Sequence, residues 1–399
     1  MLYVGVSYTG NSYLRSEVPA ITSRSLEPEN LLEVANASIS SGTQMFINSL
    51  ARESYPINYV YGFSSGGFSY FLTTQKKRTS SSTFHSRLVR VCQNDPDYYS
   101  YTEVPIECSG REFLRDYGRY EQFNYSLAKA AYLGKPGLDL ANDLGVNVTD
   151  DVLFVVMSTP KLLIEGDEYY TPIGGPTAYS ALCIYSLKSI ETMFTSNIKR
   201  CFDGEGTTGL EFIRPTQQCI KTKHNPVDEA FCGLNLNSPL EGALPIATEP
   251  ALTFGSDPIS LIATTVSHEN FTLAFLGTGG GYLHKVLIES EKSGFKYNSN
   301  IPLANLCPHY GTCHRSQLLL DAKEHNLDMM TDRAVAKMGV QENECSVYPN
   351  FYECRRARNP FCRLCWCGDG SHSDEERVGN KLENPNNGYA YRSHPDFGY

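Results

Sequence analysis

Residues 57–74, INYVYGFSSGGFSYFLTT, constrain the fold more than any other stretch of the chain. Ile57, Tyr59 and Tyr61 alternate with Asn58, Val60 and Gly62. Beyond Ser64-Ser65-Gly66-Gly67, Phe68, Tyr70 and Leu72 alternate again. Apolar and aromatic side chains at period two, on either side of a glycine-rich turn, predict an antiparallel hairpin. Aromatics at this density suit a sheet covered by neighbouring sheets. The pattern returns, with central strands expected near Phe71, Phe154, Phe275 and Met329. A chain of stacked hairpins implies an all-β propeller.

Other strands are expected at 2–8, 18–25, 84–92, 100–108, 127–136, 151–158, 180–186, 259–267, 271–277 and 282–288, with a last hairpin over 318–336. A helical turn or two is expected at 187–194, and a short surface helix or a long loop over 27–52. Between 197 and 255 the alternation breaks, and Gly, Pro, Asn and three cysteines dominate. That segment reads as a disulfide-stapled excursion from the repeat. From Cys345 five cysteines fall within 23 residues, and beyond Gly368 little remains to bury, so the tail 369–399 is expected to be disordered.

The 399 residues can bury a sizeable core. A net charge of −10 argues against nucleic acid, whose phosphates need clustered Lys and Arg. No apolar run approaches the roughly 20 residues of a membrane helix. Thirteen cysteines point to an oxidising compartment. The glycosylation sequons at Asn36, Asn124, Asn147 and Asn270 agree with it. The opening Met1-Leu-Tyr-Val-Gly-Val lacks the basic region and long apolar core of a secretion signal, so the sequence is expected to be a fragment without its true beginning.

Four motifs imitate chemistry. Gly62-Phe-Ser-Ser-Gly66 matches a serine-hydrolase elbow, which needs a helix after it; a strand follows instead. Gly277-Thr-Gly-Gly-Gly281 resembles a phosphate cradle but runs into alternating residues rather than Lys-Ser and a helix. Cys307, His309, Cys313 and His314 could offer zinc ligands, yet their spacing matches no common finger and a local Cys307–Cys313 disulfide is simpler. Cys362-Arg-Leu-Cys365 lacks the surroundings of a redox pair. No spaced pair or triad of Asp, Glu and His forms a catalytic constellation, and no cofactor is implied.

With strands and cysteines placed, the chain resembles the extracellular sema domain of a plexin running into a PSI module. The resemblance is carried by Tyr59-Val-Tyr-Gly-Phe-Ser-Ser-Gly66, Ser86-Arg-Leu-Val-Arg-Val-Cys92, Val104-Pro-Ile-Glu-Cys108, Ala130-Ala-Tyr-Leu-Gly-Lys-Pro-Gly137 and Asp150-Asp-Val-Leu-Phe154. Arg200-Cys-Phe-Asp-Gly-Glu-Gly206, Phe231-Cys-Gly-Leu-Asn-Leu-Asn-Ser-Pro-Leu240 and Met330-Thr-Asp-Arg-Ala-Val335 extend it. The excursion between Cys201 and Cys232 favours a class A-like plexin. Semaphorins and scatter-factor receptor kinases share the fold.

The resemblance implies a seven-bladed sema propeller over 1–344, entered near the third blade, then a PSI-like module over 345–368. It implies the disulfides Cys92–Cys232, Cys108–Cys183 and Cys201–Cys219. The first closes a loop worth a nominal ~4–5 kcal/mol in the chain-entropy account. Within the PSI-like module Cys345 is expected to pair with Cys362 and Cys354 with Cys367, leaving Cys365 over. Phe351 stands where the family has a cysteine, and the late cysteine that would pair with it is also missing.

By the same resemblance the chain is the ligand-binding part of a cell-surface guidance receptor, not an enzyme. Its partner is a semaphorin, a dimeric ligand would bring two receptors together, and attachment to the membrane comes through parts absent here. A secreted, truncated decoy would bind the same ligand. A propeller sialidase is the rival of another class, but the repeated Ser-x-Asp-x-Gly-x-Thr-Trp boxes are missing and the chain has a single Trp. Candidate ligand contacts are Asn11, Tyr13 and Arg15 in an early turn and the basic loop Lys76, Lys77 and Arg78, which would steer an acidic partner.

Overall fold

The computed structural model describes residues 1–7, 19–34, 44–48, 51–52, 54–114, 118–160, 179–223, 227–254, 259–267, 270–278, 282–290, 293–302, 317–321, 326–330 and 335–340. All of them belong to one compact unit, Met1–Val340. Within it the described strands form five sheets.

The first sheet pairs β1 (Leu2–Gly5), β2 (Ile21–Arg24) and β3 (Gln44–Met45). The second contains the hairpin of β4 (Ile57–Ser65) and β5 (Phe68–Lys76), followed by β6 (Phe84–Cys92), β7 (Thr102–Leu114) and β8 (Arg119–Tyr125). Ser65 faces Phe68 across the hairpin, and both residues between them, Gly66 and Gly67, have positive φ (58° and 81°). That is the backbone of a tight two-residue turn, which glycine enters without steric cost. The hydrolase-like motif is therefore strand and turn.

The third sheet has β9 (Leu127–Gly134), a short helix α1 (Leu138–Leu144), β10 (Val152–Ser158) and β11 (Ser180–Ser186). The chain then leaves through α2 (Leu187–Phe202), β12 (Leu240–Glu241) and β13 (Ile246–Thr248), and β14 (Pro250–Phe254) returns as the sheet's edge. The fourth sheet is β15 (Ile259–Val266), β16 (Thr272–Thr278), β17 (Tyr282–Ser290) and β18 (Ser293–Pro302). The fifth is β19 (Gln317–Leu320), β20 (Asn326–Met330) and β21 (Val335–Gly339).

The sheets are stacked as blades. From the second sheet on, the first strand of each contacts the first strand of the next: β4 meets β9, β9 meets β15 and β15 meets β19. This explains why the central strands read as nearly unbroken apolar runs. Every residue of β10, β11 and β16 is buried, since each of these strands is covered on both faces. Alternate side chains serve different cores. Tyr70 and Leu72 join Leu153, Val155 and Met157 between the second and third sheets, whereas Phe71, Val89 and Val91 join Ile21 and Met45 between the first and second. Phe154 and Val156 in turn pack with Ile262, Ala274 and Leu276 between the third and fourth.

Expectation and structure differ most around the helices. α2 runs sixteen residues instead of one or two turns. Its buried stripe continues past Phe194 through Ile198, Cys201 and Phe202. Ser186 caps its start by accepting from the Ser189 N–H, and Lys199 and Arg200 in the last turn suit the negative end of the helix dipole. The strand β8 was not expected either.

Between the first strands β9 and β15 the backbones approach closely at Gly134. A Cβ built on Gly134 would lie 2.3 Å from Thr264 Oγ1, across the gap between β9 and β15. Gly134→Ala is expected to destabilise the chain by roughly 1–3 kcal/mol through overpacking. Gly62→Ala, whose nearest neighbour would stand at an ordinary 3.6 Å, should stay within about 0.5 kcal/mol of the parent. Urea unfolding of both variants makes the comparison, and equal midpoints would show that the inner gap is not close-packed.

Candidate interaction surface

The excursion between β11 and β14 does not hang free. β12 and β13 pair in parallel with β7, so chain that leaves the third sheet completes the outer edge of the second. Asn48 Nδ2 donates to the Glu211 carbonyl at 2.8 Å, and the Phe212 ring stacks on Tyr55 with centroids 4.1 Å apart. Two disulfides staple the excursion, Cys92–Cys232 to β6 and Cys201–Cys219 internally, and a third, Cys108–Cys183, joins β7 to β11 beside it. They are the pairs named from the family resemblance. Cys307, Cys313, Cys345, Cys354, Cys362 and Cys367 lie outside the described residues.

A buried charge network fastens the excursion to the strands beneath it. Arg87 on β6 donates through Nη1 to Glu103 Oε2 at 3.0 Å, and its Nη2 forms an ion pair with Glu241 Oε1 at 2.5 Å. Glu103 also accepts from Gln75 Nε2 and from the Tyr101 hydroxyl, each at 2.6 Å. Burial opposes the charge on Arg87, but the carboxylates of Glu103 and Glu241 outweigh it and raise its pKa. A buried ion is tolerated where its hydrogen-bonding capacity is met in this way. His85 completes the cluster, its Nε2 accepting from Arg87 Nε at 2.7 Å. Burial, then the cations of Arg87 and Lys77, push the imidazole down to about 3, so it is neutral in the folded chain.

The basic loop sits over this network. Lys76 is half-buried at the end of β5, while Lys77 and Arg78 are exposed. The loop is tied at several points: Tyr55 Oη donates to the Lys76 carbonyl at 2.8 Å, Arg87 Nη2 to the Lys77 carbonyl at 3.3 Å, and the Thr79 N–H to Glu211 Oε1 at 2.9 Å. The two Thr79 hydrogen bonds are the main reason the Glu211 carboxyl lies below the usual range. Between this loop, strands β6–β8 and the excursion runs a groove of about 930 Å³. Asn11, Tyr13 and Arg15 lie outside the described residues.

Sequence reasoning found the loop but neither the network nor the groove. Among the sequons, Asn124, Asn147 and Asn270 are exposed, and Asn36 lies outside the described residues. Among the described residues no group of three or more His, Cys, Asp or Glu could hold a metal ion. The zinc-like cluster around Cys307 is not among those residues.

Two outcomes follow from the network. Arg87→Met leaves Glu103 buried without its counter-ion and is expected to cost about 3–5 kcal/mol in urea unfolding. For His85, the unfolded chain takes up a proton below its ordinary pKa of 6.5 while the folded chain stays neutral down to about 3. Stability that His85 leaves intact at pH 7 is therefore lost progressively as pH falls below about 6.5. His85→Gln should flatten the loss between pH 6 and 5 by up to about 1 kcal/mol per unit. An unchanged slope would mean that His85 is protonated in the fold.

Comparison with known proteins agrees with this architecture. The Sema domain family model matches residues 129–315. Human Plexin-A2 is 29% identical over 381 residues, covering 91% of this chain and 18% of that protein. Human Plexin-A4 is 32% identical over 326 residues, covering 78% of this chain and 15% of that protein. The solved extracellular region of Plexin A4 aligns at 28% identity with a TM-score of 0.71, over 86% of this chain and 33% of that one. The chain thus spans less than a fifth of the Plexin-A2 it matches. Its stacked sheets, stapled excursion and relatives together place it in the plexin family, of which it carries a sema domain.

Proposed function

We propose that the chain is extracellular and forms the semaphorin-binding part of a plexin-type receptor, acting as a binding module without a catalytic step. The observation that carries this reading is the alignment with the Plexin A4 extracellular region over 86% of the chain. The oxidised cysteine pairs and the exposed sequons at Asn124, Asn147 and Asn270 suit the same location. Among the described residues no helix is long and apolar enough to cross a membrane, and on this reading anchorage belongs to other parts of the receptor. A semaphorin dimer would bring two such receptors together, each contact gaining from the other's effective concentration.

Lys77 and Arg78 carry the steering role in this proposal. They are exposed, and the loop that holds them is tethered below by Tyr55, Arg87 and Glu211. A pre-ordered basic loop presents its charge without first losing conformational freedom. Surface plasmon resonance against a panel of semaphorin ectodomains tests the reading. Lys77→Glu/Arg78→Glu is expected to slow association roughly tenfold at low salt, leave dissociation nearly unchanged, and lose most of its effect in high salt. Absence of binding to every semaphorin would overturn the receptor reading. Binding that the charge reversal leaves untouched would move the contact elsewhere.

A further inference from the structure

The groove between strands β6–β8 and the excursion has a lining whose charges balance. Lys77, Arg78, Arg87 and Arg200 stand against Glu107, Glu205, Glu211 and Glu241, and His85 is neutral. Such a lining attracts neither a polyanion nor a polycation. It offers many donors and acceptors beside the partly exposed Phe84 ring. Its volume of about 930 Å³ lies toward the top of the roughly 300–1,000 Å³ typical of sites that enclose a small ligand. A neutral ligand rich in hydroxyl groups, with C–H faces that can pack on an aromatic ring, fits this chemistry.

The chain has the means to supply that ligand itself. Asn124 opens the sequon Asn124-Tyr125-Ser126, and both Asn124 and Ser126 line the groove. Strand alternation fixes the direction. On β8, Phe123 and Tyr125 turn toward the core, where Tyr125 is buried and Phe123 packs against Tyr179. Asn124 is left exposed on the opposite face. Asn147 and Asn270, exposed in turns next to α1 and β16, do not line the groove.

We propose that the groove seats the chain's own N-linked glycan, attached at Asn124. The first sugar leaves Asn124 Nδ2 at the groove wall, and the following sugars lie against Glu107, Phe84 and the Arg200–Glu205 pair, whose Nε–Oε2 distance is 3.2 Å. The glycan then bridges β8 and the excursion and fills space that would otherwise hold water. This inference rests on the extracellular reading, because attachment requires passage through the secretory lumen.

The test is a native deglycosylation time course. The full chain is produced in mammalian cells behind a supplied signal peptide, and each sequon is followed by mass spectrometry during digestion with peptide N-glycosidase. The Asn124 glycan is expected to be released at least tenfold more slowly than those at Asn147 and Asn270, with the difference abolished by denaturation. Arg200→Ala/Glu205→Ala, which alters only exposed groove-wall groups, should bring the Asn124 rate toward that of Asn147. Release of all three glycans at one rate would overturn the inference while leaving the extracellular reading intact. So would a bare Asn124 beside occupied Asn147 and Asn270. Finding every sequon bare would overturn both.

Discussion

A strand covered on both faces has no side left for solvent, and that constraint shapes this molecule. Phe154 and Val155 are neighbours in the chain, yet they belong to different cores, one shared with the fourth sheet and one with the second. The stability of each blade is thus held jointly with its neighbours. A substitution in β10 is felt by two interfaces at once, and the polar faces that an open sheet would present to water are absent from β10, β11 and β16. The narrow gap at Gly134 is the same constraint seen from the side of the inner strands.

The excursion between β11 and β14 meets the opposite problem. Beyond α2 it has little regular structure, so its shape comes from attachments: parallel pairing to β7, the disulfides Cys92–Cys232 and Cys201–Cys219, the Phe212–Tyr55 stack and the Arg87 network. Each kind restrains a different segment. The disulfides limit what the unfolded chain can do, and the ion network selects one seat on the folded surface. The outcome is an irregular surface held nearly as firmly as the sheets below.

Much of this was legible in the sequence, and the parts that were not share a cause. Strands β6, β10 and β11 were readable to within a residue or two because period-two burial and apolar runs are local signals. The helix α1 escaped because seven residues between Gly137 and Gly145 show too few turns for a period to emerge. The helix α2 was cut short at Phe194 by the irregular chain beyond it, although Ile198, Cys201 and Phe202 keep the helical spacing. β8 reads as a charged stretch because Arg119 and Glu121 occupy the start of its inward alternation and Tyr120, Gln122 and Asn124 face out, leaving only Phe123 and Tyr125 to mark the buried side. The Arg87–Glu103–Glu241 network left no mark at all in the sequence. Its members are far apart in the chain, and their burial follows from the parallel pairing of β12 with β7.

That pairing has a genealogical consequence. The second blade's outer edge is made by chain that belongs, in sequence, to the third, so the boundary between two blades in space is not a boundary in the polypeptide. Duplication or exchange of one blade's worth of sequence would leave β7 without β12 and β13, strand Cys92 from Cys232, and orphan Arg87 from Glu241. In this chain the two blades are one structural unit, because each attachment between them is made by sequence from both.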